Sequence, residues 1–200
     1  YDILMKIKDK YSKEKVFHSL LAQYYFQKDM FEEAFKEIDE YAKIEPNSPL
    51  IYQMRALIFE KQGDSFNEHL NWGKFNIIRG EKDVALNEYL TAHRFDDKNV
   101  DLIETIAALL EAEGDKTKAS EFYERLADID PKNRLALEKL ADFRESIGDN
   151  YGAIEYMDRL KEIDPRNEFV QKNYDKIKDR AENGMGIMQF LKSIFGKRMG

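Results

Sequence analysis

The side chains able to do acid–base or metal chemistry in this sequence are 39 acidic residues and three histidines; there is no cysteine to act as nucleophile or thiolate ligand. His18, His69 and His93 stand far apart, and no two of them share a helical metal-ligand spacing. The acidic pair Glu32-Glu33 could be imagined in acid–base work, but it opens a helix, where the macrodipole favours negative charge. No Gly-rich phosphate loop, dinucleotide fingerprint or Gly-x-Ser-x-Gly elbow occurs. Trp72, Tyr25, Tyr123 and Tyr151 could stack bases, yet they fall at positions better suited to packing between helices. The expectation is a chain with no catalytic residue, no metal site and no cofactor.

What remains for these residues is binding, and the elements that would position them repeat. Pro131 and Pro165 lie 34 residues apart; so do Gly80, Gly114 and Gly148 in succession, and Ala85, Ala119 and Ala153. Leu135, Leu137, Leu140, Ala141 and Ile147 trace one apolar helical stripe. Gly148-Asp149 closes that helix, and Ala153, Met157 and Leu160 begin the next. Asp164-Pro165 stops it, because proline cannot continue a helix. Small residues (Ala22, Ala56, Gly73, Ala107, Ala141) recur in the first helix of each unit and Ala34, Ala85, Ala119 and Ala153 in the second, where axes must approach closely.

These features resemble the tetratricopeptide repeat. The resemblance implies an all-α, right-handed superhelical solenoid of antiparallel helix pairs. Full repeats span 15–48, 66–99, 100–133 and 134–167. A half-unit, 49–65, interrupts the phase, so the helix over 66–79 is expected to serve both the half-unit and the following repeat. Repeat one carries Asp29 where glycine is usual, and Asp tolerates left-handed backbone better than most residues. Residues 1–14 read as a partial or capping helix, 168–182 as a C-terminal cap.

The resemblance also implies a function: a non-catalytic scaffold or adaptor whose first helices line a concave groove for a peptide. Mapped here, that groove comprises Gln23, Phe26, Gln53, Leu57, Asn71 and Lys74, then Asp101, Glu104, Glu111, Glu138, Asp142 and Glu145. The family's basic clamp for chaperone tails is absent, with Ser19 and Gln23 or Glu104 and Ala108 at its leading positions. The acidic second half favours a basic protein or peptide partner. A net charge of -7 argues against nucleic acid.

Residues 183–200 differ from the body. Ile187, Phe190, Leu191, Ile194 and Phe195 form an amphipathic face, accompanied by Lys192, Lys197 and Arg198 and no acidic residue. Gly184 and Gly186 read as hinges. The tail could fold back as part of the core or the groove, lie on an anionic membrane, or meet a partner or a second copy. A cytoplasmic location, with or without membrane association, is expected, and a periplasmic one is compatible. The chain opens at Tyr1 rather than Met, so a regulatory segment of a larger protein is a further reading.

Overall fold

The structure is a computed structural model describing Lys6, Lys10, Tyr11 and residues 14–195, with side chains as far as Gly184. Ten helices and no strand occur among the described residues: α1 Lys15–Gln27, α2 Phe31–Ile44, α3 Pro49–Gln62, α4 Ser65–Arg79, α5 Lys82–His93, α6 Val100–Ala112, α7 Lys116–Ile129, α8 Arg134–Ser146, α9 Asn150–Ile163 and α10 Glu168–Phe195. They form two compact units, Tyr1–Leu102 and Ile103–Gly200, with α6 starting in the first and continuing into the second. Most of the expected N-terminal partial helix lies outside the described residues.

Each tight turn is made the same way. Gly63, Gly80, Gly114 and Gly148 adopt positive φ, and Asp29 does so at 55° in the equivalent place. In every case two amides close the helix end: Asp29 N–H reaches Phe26 O (3.1 Å) and Met30 N–H reaches Tyr25 O (2.9 Å), just as Gly148 N–H reaches Glu145 O and Asp149 N–H reaches Arg144 O. The residue after the glycine starts the next helix. Asp64, Asp115 and Asp149 accept from the amides of Asn67, Lys118 and Gly152. At the longer connections Asn99, Asn133 and Asn167 cap in the same manner, accepting from Leu102, Ala136 and Val170.

In the first unit α1 packs on α2, α2 on α3, and α4 lies against both α3 and α5. The helix after the half-unit is thereby flanked on both sides. Its Gly73 is the closest approach: a methyl group built there would stand 2.4 Å from the Tyr89 ring of α5. Ala22, Ala34, Ile38, Tyr41, Ile51, Met54 and Ile58 form a core cluster, edged by Phe35 on the Phe59 ring (5.2 Å). In the second unit α7 packs on α8, α8 on α9 and α9 on α10 around Leu137, Leu140, Met157, Leu160 and Ile177, all fully buried.

Two expectations need correction. Ile147 is not part of the buried stripe: it is the C-cap of α8 and 57% exposed, because the helix has already ended where the stripe would place it. And α10 passes through Gly184 and Gly186 without a hinge. Each glycine costs a helix roughly 1 kcal/mol, but long flanking segments of good helix formers propagate through them.

Candidate functional site

The residues of the anticipated groove divide by unit. In the first, Gln23 and Lys74 are exposed, while Phe26, Gln53 and Leu57 are half-buried. Phe26 lies under the Lys61 ammonium, 4.7 Å from its ring centre, and Lys61 also pairs with Asp29. Asn71 departs from the expected pattern: it is buried, 5% exposed, and its amide donates to Asn67 O at 2.7 Å, so its side chain is spent on its own helix. Lys74 is held below its ordinary value by desolvation and then by Arg55, with Asp101 opposing. Asp101 is exposed on the first turn of α6.

Two of the three histidines are not the isolated residues their spacing suggested. His18 Nδ1 meets Glu37 at 2.7 Å, and His69 Nδ1 meets Glu88 at 2.7 Å. Both pairs link the two helices of a repeat, at the same two repeat positions. Those positions hold Ile103 with Phe122, and Leu137 with Tyr156, in the later repeats. They are structural ties, and among the described residues no group of three His, Asp or Glu gathers as a metal site.

In the second unit the acidic positions come together, and most are already engaged. Glu111 receives Lys139 Nζ at 2.8 Å on both carboxylate oxygens and the Tyr123 hydroxyl at 3.2 Å. Glu145 receives Arg180 at 2.6 Å, with Lys176 at 3.8 Å, both from α10. Glu138 accepts from Asn167 at 2.7 Å. Tyr123 is pushed up by desolvation, then by the charge and hydrogen bond of Glu111 and the charge of Glu104. Sequence reasoning missed these contacts because the partners arrive from other elements, Lys139 from 28 and Arg180 from 35 residues away.

The exceptions are Glu104 on α6 and, on α8, Asp142. Neither makes a hydrogen bond or ion pair among the described residues. The Asp142 carboxyl sits above the ordinary value, first through desolvation and then through Glu145, Glu111 and Glu138, with Lys139 opposing. Such a group favours the fold only while protonated. Stability from it is present in acid, below the unfolded Asp value, and is lost as pH rises through the folded one. Asp142→Asn should therefore raise the melting temperature at pH 7, and the gap should close on acidification to about pH 3. Thermal scans across that range check it; a lower melting temperature for the variant at pH 7 would show the carboxylate to be supported after all.

Asp142 helps to line a cavity of about 260 Å³, together with Glu111, Lys116, Ala119, Ser120, Tyr123, Lys139, Phe143 and Ser146. The side chains of Ile187, Phe190, Leu191, Lys192, Ile194, Phe195, Lys197 and Arg198 lie outside the described residues. Among the described residues no helix is long and apolar enough to cross a membrane.

The family model described as the tetratricopeptide repeat matches residues 101–133. No curated protein matches the chain. Solved structures do. YrrB, described as a tetratricopeptide repeat protein with an unusual peptide-binding site, is 12% identical, with 86% of this chain and 97% of that one covered at a TM-score of 0.50. MamA is 16% identical, with 78% and 94% covered at 0.51. A tetratricopeptide repeat protein from Parabacteroides merdae is 17% identical, with 98% and 68% covered at 0.50. At these identities the likeness is one of fold: an all-helical solenoid of repeats. One stretch, residues 101–133, thus matches the tetratricopeptide repeat in sequence, and the chain shares its fold with solved tetratricopeptide repeat proteins.

Proposed function

We propose that this chain is a non-catalytic interaction scaffold that holds a segment of a partner protein on the α6–α8 face of its second unit. The observation that carries this is the contrast on that face. Glu111, Glu138 and Glu145 are bound by the chain's own donors, whereas Asp142, on the wall of an open cavity, is left uncommitted. An exposed carboxylate that makes no hydrogen bond or ion pair with its own chain is available to a ligand. A partner with a cation at that point supplies what the fold lacks. YrrB, of the same fold, is described as having a peptide-binding site, which agrees with this use of the architecture.

The engaged carboxylates are poor targets for testing the idea, since reversing Glu111 or Glu145 also breaks the contacts to Lys139 or α10. Asp142→Lys and Glu104→Lys leave those contacts in place. Affinity capture from native lysate, with wild type beside these two variants, should lose a partner by roughly tenfold or more on charge reversal. An identical set of captured proteins with all three baits contradicts the reading.

A further inference from the structure

The lining of the second-unit cavity specifies more than a positive charge. Ser120 Oγ donates its proton to Thr117 O at 2.7 Å, and Ser146 Oγ donates to Phe143 O at 2.7 Å. Both hydroxyl oxygens are thus left as acceptors. Asp142 adds two more acceptor oxygens, and Phe143 contributes an aromatic ring. Of the two cations in the lining, Lys139 is consumed by Glu111. Lys116 is exposed. The free polar capacity of the cavity is therefore mostly acceptor, one carboxylate and two hydroxyls around a ring. At about 260 Å³ the space fits one long side chain and falls below the roughly 300–1,000 Å³ of cofactor-sized pockets.

We propose that this cavity is a socket for an arginine side chain of the partner segment, with the guanidinium on Asp142 and its plane against Phe143. Five donors in a planar fork match a carboxylate flanked by hydroxyl acceptors. The flat, weakly hydrated cation also stacks on an aromatic ring better than an ammonium does. The socket rests on the interaction reading given above and names the chemistry that the Asp142 face recognises.

The test uses the whole chain, labelled with 15N and titrated with acetyl-arginine methylamide, beside the uncharged isostere acetyl-citrulline methylamide. Saturable shifts confined to the amides of Ser120, Asp142, Phe143 and Ser146 are expected for arginine. Citrulline should bind about 10- to 100-fold more weakly, the fold-change of one charge-assisted hydrogen bond. Asp142→Asn should weaken arginine by a similar factor while melting no lower than wild type, which separates lost binding from lost folding. Equal binding of both compounds, no shift at the cavity, or an unaffected Asp142→Asn variant overturns the socket. If lysate capture still depends on Asp142 in that case, the interaction reading survives without the arginine; if capture is also indifferent to Asp142, both fall.

Discussion

Gly73→Ala should destabilise the first unit by about 1–3 kcal/mol, although alanine is the better helix former by about 0.5–1 kcal/mol. The reason is the Tyr89 ring, whose atoms would stand 2.4–2.8 Å from the new methyl group. Tyr89 cannot easily retreat: it is 4% exposed, and burial pushes its hydroxyl up to about 12. The sign should reverse in a Tyr89→Leu background, where the ring is gone and only the helix preference is left. Urea denaturation of the single and double variants measures this coupling. A Gly73→Ala cost that persists undiminished without the ring would show that the glycine serves something other than close approach of α4 and α5.

The second large effect lies in α8. Leu140→Ala should cost about 2–5 kcal/mol, because Leu140 is fully buried and its removal leaves a cavity that neighbours fill only in part. Ile147→Ala, one helix end away in the same apolar pattern, should change stability by no more than about 0.5 kcal/mol. Comparable losses at both positions would mean that the exposed isoleucine is covered in solution.

That pair also shows how much of the molecule was legible in the sequence. The 34-residue spacing of glycines, alanines and prolines placed the helix pairs, and the buried Ala34, Ala85, Ala119 and Ala153 stand where that spacing put them. Asp29 does take the left-handed turn in place of glycine. Ile147 was misread because periodicity continues past a helix end that only turn geometry reveals. The hinge at Gly184 and Gly186 was misread for the opposite reason: glycine weakens a helix without obliging it to stop.

The caps were present in the sequence and went unread. Asn99, Asn133 and Asn167 share the 34-residue period, and each accepts an amide at the start of a first helix. The candidate site was harder. Acidic positions could be located by repeat register, but which of them are free depends on Lys139, Arg180 and Asn167 arriving from other helices. Asp142 and Glu104 stand out only after those partners are subtracted. Asn71 illustrates the same limit, since a groove position gives its register but not the rotamer that turns its amide onto Asn67.

The central claim, that a partner segment is held on the α6–α8 face of the second unit, is tested most directly by placing a photo-crosslinking amino acid at Ala108. This residue is exposed on α6, one turn from both Glu104 and Glu111. A matched probe at exposed Asp128 on α7 is the control. Irradiation in native lysate should yield a discrete protein adduct at Ala108 that is lost with Asp142→Lys and absent at Asp128. Adducts equal at the two positions, or an Ala108 adduct indifferent to Asp142→Lys, would contradict it.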